Sequence, residues 1–411
     1  MPDRRGVSTQ RGVRRIRASA DAFGNALRMA AAAGIFLLNP AWWNGSARAQ
    51  AAAGVTAAEA RANSAREYLD LARRERRETK LAAAEIHAKR AIDALAEGPA
   101  HSVARLGAAW NELAEIKLAQ GAPDAAEAAY LEARRLLGTL PAGGGPLMAT
   151  VWNGLGVTYR RQGRLGEAEK CVRQALKIWE RQRSPYRKHI AAAEANLGII
   201  QAFQGKYRPA RKSLERALAG IESLSGLKSL EAADILGNLA FVHHRTGRVE
   251  QAESSYRAAL AIYEGLLGAE HPRAAACRNS LGAVLFEQDR VEEAEQLFLS
   301  SLAALESAYG DAHPETASAM QHLALLRTRQ KRYAEAEPLF SSALRIREQH
   351  FGAANLEVAQ TLEGWASLLR ATGRGGQAAD MRLRARQIRD GHGTANTLGH
   401  TVDIDTLLRG R

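Results

Sequence analysis

The sequence predicts an all-α protein, a solenoid of about eight helix hairpins, from three observations. The first is a 42-residue repeat that runs through most of the 411-residue chain. The second is that fixed positions of the repeat hold small or apolar residues throughout. The third is composition: alanine and leucine abound and aromatic residues make up only 6%. Alanine and leucine favour helices because they lose little rotamer freedom there.

The 42-residue repeat continues without insertion or deletion over eight copies, which start near residues 65, 107, 149, 191, 233, 275, 317 and 359. One column holds Leu71, Leu113, Leu155, Leu197, Leu239, Leu281, Leu323 and Trp365. The residue after each of these is always alanine or glycine. A small side chain at a helix crossing lets two backbones approach closely while larger neighbours fill the grooves. Each copy is therefore predicted to be a pair of crossing helices, A and B.

Turn residues separate the two helices of most copies. The turns contain Gly121, Gly163, Gly205, Gly247 and Gly373. Glycine can adopt the left-handed conformation that ends a helix, so Asp289 and Lys331, which replace it in two copies, predict slightly less stable turns. The eight copies end near residue 390, and residues 391–411 are predicted to form a C-terminal tail.

The first 49 residues have the organisation of a secretory signal peptide. Six arginines in residues 1–17 precede an apolar run over residues 29–38, and small residues then lead to an Ala-Arg-Ala sequence. We expect cleavage between Ala49 and Gln50, which makes the protein periplasmic or secreted. The apolar run is shorter than the roughly 20 residues that a membrane-spanning helix needs. A short linker up to residue 64 then leads into the first copy.

The positive charge of the chain is unevenly distributed. The formal net charge is +13, but residues 1–49 hold eight arginines and two acidic residues, which leaves +7 for the remainder. This excess is mixed with acidic residues on most predicted helices. Glu115, Asp234, Glu287 and Glu363 interrupt the predicted inner helices. We therefore expect no nucleic-acid partner, since single-stranded nucleic acid needs a continuous basic channel.

Sequence motifs for catalysis, cofactors or metals are absent. There is no nucleophile elbow, phosphate-binding glycine loop, HExxH or paired Cys/His site. Cys171 and Cys277 lie three copies apart, too distant for a disulfide, and are interpreted as small buried hydrophobes. His271 and His313 each precede a proline at the same turn of different copies, so we interpret both as structural. The sequence predicts a non-enzymatic protein without cofactor or metal.

The third copy carries the most complete repeat signature. Trp152, Leu155, Gly156, Tyr159 and Ala168 have the spacing W-x2-L-G-x2-Y…A, which resembles the tetratricopeptide repeat. The long 42-residue copy, with phrases such as Leu-Gly-Ala-Glu-His-Pro, resembles the repeats of kinesin light chains and their bacterial relatives. The resemblance implies a right-handed superhelix, an inner wall lined by helices A, and a function in protein binding.

The same resemblance assigns residues of helices A to a concave, peptide-binding groove. These residues are Asn153, Arg160, Arg161, Phe203, Phe241, His244, Arg245, Phe286 and Arg329. The arginines suit carboxylates, because a guanidinium donates parallel hydrogen bonds, and the phenylalanines suit an apolar anchor. The expected partner is a protein or peptide with acidic and large apolar residues. The alternative is that these arginines are solvated and these phenylalanines fill gaps between repeats.

Three functions remain compatible with the sequence. The first is an exported scaffold that binds a partner in its concave groove. The second is a cytoplasmic regulatory or assembly module whose basic N-terminal arm contacts membrane or nucleic acid. The third is an enzyme with an unrecognised site, for which no catalytic residue can be named. The N-terminus of the mature chain discriminates between the first two.

Overall fold

The structure, a computed structural model, describes residues 63–96, 103–140, 143–182 and 184–392. Within these residues it contains sixteen α-helices, one short 3-10 helix at Ser184–Tyr186 and no strand. The predicted signal peptide and most of the linker lie outside the described residues. The predicted tail also lies outside them, apart from its first two residues, which continue the last helix.

Consecutive helices form eight antiparallel hairpins, which we number units 1 to 8. The A helices are α1 (residues 63–77), α3 (Val103–Ala119), α5 (Gly145–Arg161), α7 (Arg187–Phe203), α9 (Leu230–Arg245), α11 (Pro272–Glu287), α13 (Pro314–Arg329) and α15 (Leu356–Ala371). The B helices are α2 (Leu81–Ala96), α4 (Pro123–Gly138), α6 (Leu165–Glu180), α8 (Tyr207–Ser225), α10 (Val249–Leu267), α12 (Val291–Tyr309), α14 (Tyr333–Phe351) and α16 (Gly375–His392).

Each helix packs mainly against its neighbours along the chain. From α3 onward, every A helix contacts the B helix of its own unit, and every B helix contacts the A helix of the next unit. Contacts thus lie almost entirely within one unit or between adjacent units, which is the arrangement of a solenoid. The predicted all-α solenoid of helix hairpins is confirmed.

The small-residue column lies where helices A and B cross. A Cβ added to Gly156 would lie 2.4 Å from Cγ2 of Val172 on the facing helix, and one added to Gly198 would lie 2.6 Å from Cγ of Leu214. Both facing side chains are fully buried. Because the backbones approach so closely, a large side chain from helix B fills the space above each small residue of helix A.

The turn between helices A and B has one left-handed residue in every unit. Thr79 (φ 60°), Asp289 (φ 66°) and Lys331 (φ 61°) occupy the position that is glycine in the other five units. The left-handed region costs a residue with a Cβ roughly 1–2 kcal/mol. The structure therefore retains the same turn geometry in these three units despite its intrinsic cost.

Helices α11, α13 and α15 begin with side-chain caps. Nδ1 of His271 accepts a hydrogen bond from the Arg273 N–H (3.1 Å), and Nδ1 of His313 accepts one from the Glu315 N–H (3.2 Å). Oδ1 of Asn355 has the same function at α15. A proline follows each histidine, where its missing N–H costs nothing. The structural interpretation of both histidines is consistent with this capping geometry.

A ladder of ion pairs joins successive units on the side of the B helices. A glutamate on helix B of one unit pairs with a basic residue in the A–B turn of the next unit. The pairs are Glu127–Arg164 (2.9 Å), Glu169–Lys206 (2.9 Å), Glu253–Arg290 (2.8 Å), Glu295–Arg332 (3.2 Å) and Glu337–Arg374 (2.6 Å). Each spans 37 residues, so the ladder follows the repeat. We call it the glutamate ladder.

Among the described residues, no helix is both long enough and apolar enough to cross a membrane. Cys171 and Cys277 are free and buried, as predicted for small hydrophobes.

Replacing Gly156 by alanine tests the helix crossing. The new Cβ would collide with Val172, a short and stiff side chain, so we expect Gly156→Ala to lower the free energy of unfolding by about 1–3 kcal/mol. The matched control is Gly265→Ala on α10, where no atom lies within 4 Å of an added Cβ. Because alanine favours helix over glycine, this control should raise the free energy of unfolding by up to about 1 kcal/mol. Chemical denaturation measures both, and equal effects of the two changes would contradict the crossing constraint.

Candidate functional site on the concave wall

The A helices form the inner wall of the solenoid. The A helices of most successive units from α3 onward contact each other directly, and α9 and α11 are joined by the His244–Glu287 side chains. Polar bonds join them with an offset of 43 residues: Nδ2 of Asn196 donates to Oδ1 of Asn153 (3.2 Å), and Nδ1 of His322 donates to Oδ1 of Asn279 (2.9 Å). A residue at one position of the repeat therefore contacts, in these two pairs, the residue one position further along in the next unit.

A cavity of about 480 Å3 opens along this wall between units 3 and 8. Its charged lining residues are Arg160, Asp234, Arg273, Glu315, Arg347 and Glu357. Its large apolar and aromatic residues are Ile199, Phe203, Tyr256, Tyr263 and Phe351. The volume lies within the roughly 300–1,000 Å3 of typical ligand sites. An apolar floor with charges of both signs suits a segment of polypeptide better than a uniformly charged polymer.

Arg160 and Phe203 are the two predicted groove residues that line this cavity. The Arg160 guanidinium carbon lies 6.0 Å from the centre of the Phe203 ring, within the range of a cation–π contact. The buried Nε of Arg160 has no hydrogen-bond partner. Burial and the neighbouring Arg161 charge lower the pKa of Arg160. Arg160 is thus a cation at the cavity wall without a neutralising carboxylate.

The other predicted arginines contact the preceding unit. Nη1 of Arg161 donates to the carbonyl oxygen of Leu118 (2.7 Å), and Nη1 of Arg329 donates to that of Phe286 (3.1 Å). Both carbonyls lie near the end of the previous helix A, where a cation satisfies unpaired oxygens. Nε of Arg245 donates to the Tyr207 hydroxyl (3.1 Å). Each of these three guanidiniums already has at least one partner, Arg329 also pairs with Asp289, and none of the three lines the cavity.

The remaining predicted groove residues are partly or fully enclosed. Phe286 is only 1% exposed and belongs to the core between units, whereas Phe241 is half-buried. His244 is buried, and its Nε2 lies 2.5 Å from Oε2 of Glu287. Asn153 is half-buried and accepts the bond from the next unit described above. The structure therefore does not bring the nine predicted residues together in one site.

A buried arginine at the far end of the cavity was not among the residues predicted from the sequence. The Arg347 side chain on α14 is fully buried and pairs with Glu357 (3.2 Å). It also donates to the hydroxyls of Thr361 (2.7 Å) and Ser318 (3.0 Å) and to the Gln321 side chain. In units 1 to 6 the equivalent position is leucine, tryptophan, isoleucine or tyrosine. The sequence signal for this site was therefore a charged residue, Arg347, at a repeat position that is apolar or aromatic in units 1 to 6.

Three titratable side chains near the cavity, Cys277, Tyr263 and His322, favour their neutral forms. Burial raises the pKa of the Cys277 thiol to about 12. Burial and the Asp234 carboxylate, which accepts the Tyr263 hydroxyl (2.6 Å), raise the pKa of Tyr263. Burial and the Arg347 charge lower the pKa of His322 to about 3. Within the described parts of the chain, no group of three His, Cys, Asp or Glu side chains could hold a metal ion.

The chain belongs to the tetratricopeptide repeat family. Family models described as tetratricopeptide repeat match residues 105–181, 147–223, 231–307 and 278–349, and another matches residues 196–265. No curated protein is significantly similar to the chain.

Solved structures share the fold at low sequence identity. RapI in its apo form is 12% identical with a TM-score of 0.60, and the similarity covers 81% of this chain and 99% of RapI. A Rap protein complexed with competence and sporulation factor is 14% identical with a TM-score of 0.56, covering 81% and 98%. BtubC (BKLC) from P. vanneervenii is 21% identical with a TM-score of 0.46, covering 55% and 91%. The predicted tetratricopeptide solenoid is confirmed by the family models and by the Rap structures.

Replacing Arg347 by leucine tests the buried cluster. The change leaves Glu357 without its partner in a buried setting, which typically costs about 3–5 kcal/mol of folding stability. The matched control is Arg345→Leu, an exposed position on the same helix, which should change stability by less than about 0.5 kcal/mol. Urea denaturation gives both values, and hydrogen exchange should locate the loss in α13, α14 and α15. A loss of similar size at both positions would contradict this role for Arg347.

Proposed function

We propose that this protein is a non-enzymatic scaffold that binds an extended protein or peptide segment in its concave cavity. The observation that carries the proposal is Arg160, a partly buried cation that lines the cavity and has no ion pair among the described residues. A buried charge is costly unless an opposite charge accompanies it. A carboxylate on a partner would supply that charge.

The surroundings of Arg160 favour an apolar residue next to that carboxylate. Ile199 and Phe203 are half-buried and line the same part of the cavity. Glu315 and the Asp234–Arg273 pair (3.4 Å) lie on other parts of its wall. A segment with an acidic and a large apolar residue at one end, and a neutral or basic residue at the other, would complement this distribution of charge.

The fold is compatible with this function. The Rap protein complexed with competence and sporulation factor has the same type of solenoid and binds that factor. The neutral thiol of Cys277 and the neutral ring of His322 support a non-catalytic function, because a nucleophilic thiol must ionise and a base must be able to accept a proton near neutral pH.

The binding proposal can be tested with a displayed library of random twelve-residue peptides, selected on the whole protein. We expect enriched peptides to combine acidic and large apolar residues. Binding of a selected peptide should weaken about 10- to 100-fold in Arg160→Gln, because a hydrogen bond to a charged group contributes about 1.5–3 kcal/mol. Fluorescence anisotropy with the labelled peptide measures this change.

Arg386→Gln is the matched control, since Arg386 lies on α16 with an 81% exposed side chain and outside the cavity. It should leave the affinity unchanged. Phe203→Ala should weaken binding as well, provided that circular dichroism shows an intact helical fold. If the selected peptides bind Arg160→Gln as tightly as they bind the unmodified protein, the binding surface lies elsewhere.

We further propose that the protein acts outside the cytoplasm. The support is the arrangement of basic, apolar and small residues in residues 1–49. Expression in a bacterial host with a C-terminal tag, followed by fractionation and N-terminal sequencing, tests it. A periplasmic product that begins at Gln50 is expected. A cytoplasmic product that begins at Met1 or Pro2 would favour the regulatory or assembly module with a retained basic arm.

A further inference from the structure

The glutamate ladder is interrupted at unit 4. At the ladder position of α8 the chain has Arg211, where five other B helices have the glutamates of the ladder. The basic residue that faces this position from the next unit is Arg248. Arg248 consequently has no ion pair among the described residues. Two like charges replace the attractive pair found at five other joints, by which we mean the contacts between neighbouring units. Like charges at such a contact are unfavourable for folding, although Arg211 itself is paired with Glu215 on the same helix.

A cavity of about 510 Å3 lies at this interruption. Six basic residues line it: Arg173, Arg208, Arg211, Lys212, Arg216 and Arg248. Pro209, Ser213 and Gln201 complete the lining. No acidic side chain is part of the wall. The cavity lies between α6, α8 and the turn before α10, on a different part of the molecule from the groove that contains Arg160.

Three of the six cations are paired and three are not. Arg173 pairs with Glu169 (2.7 Å), Arg216 with Glu194 (2.8 Å) and Arg211 with Glu215 (2.7 Å). These carboxylates hold the guanidiniums in place from outside the wall of the cavity. The unpaired residues among those described are Arg208, Lys212 and Arg248. About three positive charges are therefore available to a ligand.

A buried amide supplies an independent indication of a ligand. Gln201 on α7 is only 2% exposed, lines the cavity, and has no hydrogen-bond partner for Oε1. Buried polar atoms without partners are uncommon in folded proteins. An amide can present either its oxygen or its NH2 group after a half-turn, so it can donate to an anionic oxygen or accept from a hydroxyl.

The next residue in the same column, His243, lies near Arg211 and Arg248. His243 is buried, and its Nδ1 has no partner. Burial, followed by the charges of Arg248 and Arg211, lowers the pKa of His243, whereas Glu215 opposes this effect. The imidazole therefore stays neutral and adds no charge of its own. The positive potential in this region comes from the arginines and the lysine.

We propose that this cavity binds the phosphate group of a small phosphate monoester. Guanidinium groups donate parallel hydrogen bonds to phosphate oxygens, and a phosphate dianion matches a cluster of unpaired cations better than a single carboxylate does. The volume lies within the roughly 300–1,000 Å3 of small-molecule sites, so it accommodates the organic part of the ester as well. The proposal is independent of peptide binding in the concave groove.

Arg211→Glu is the decisive variant because it restores the ion pair found at the other joints. It should fold and melt near the temperature of the unmodified protein, since the introduced carboxylate can pair with Arg248 while the surface pair between Arg211 and Glu215 is lost. Binding of glycerol 3-phosphate, measured by isothermal titration calorimetry at low salt, should weaken at least tenfold. Arg386→Glu on α16 makes the same change in net charge away from the cavity and should bind as the unmodified protein does.

The probes also identify the ligand class. Glycerol 3-phosphate should bind more tightly than inorganic phosphate or sulfate if the cavity recognises an ester. No binding of the ester by the unmodified protein, equal binding by Arg211→Glu, or an equal loss in Arg386→Glu would each overturn the proposal. Tighter binding of inorganic phosphate, or binding of a single-stranded oligonucleotide without binding of the ester, would overturn the assignment to a small phosphate monoester.

Discussion

The close crossing of helices A and B at the small-residue column is the constraint on which the rest of the structure depends. At Gly156 and Gly198 there is no space for a Cβ, because Val172 and Leu214 occupy it. The A helices of most successive units also contact each other along the inner wall. We expect a wider crossing to shift these helices and to disturb both the bonds between units and the concave cavity.

Arginine has three different functions in this solenoid, and the structure separates them by contacts. Arg161 and Arg329 cover backbone oxygens of the preceding unit and therefore act as connectors. Arg347 is the centre of a buried polar cluster in units 7 and 8. Arg160 has an aromatic ring beside it but no carboxylate, which leaves it available for a partner. The same residue type thus contributes to assembly of the array and, in the function we propose, to recognition of a partner, depending on whether a neighbouring group already pairs with it.

Local and periodic features could be predicted from the sequence, whereas features that depend on the relation between units could not. The hairpins, the left-handed turns at Asp289 and Lys331, and the structural histidines follow from patterns within one copy. The nine predicted groove residues rested on helical register alone. Register within one helix does not reveal which residues of adjacent units meet: Phe286 is buried in the core, and Arg161 donates to the Leu118 carbonyl oxygen. Arg347 and Arg211 were visible as exceptions in their columns, but their meaning required the positions of their neighbours.

The 37-residue spacing of the glutamate ladder has a consequence for how such a chain can evolve. Because the ladder repeats with the 42-residue unit, a recombination event that deletes or duplicates one whole unit brings another glutamate opposite another basic residue. Most joints are therefore interchangeable, and the array can change length without loss of its ion pairs. The joint at Arg211 is different. Deletion of residues 206–247 would place Arg248 opposite Glu169 and would eliminate the basic cavity in one step, so this site can be inherited only together with its own unit.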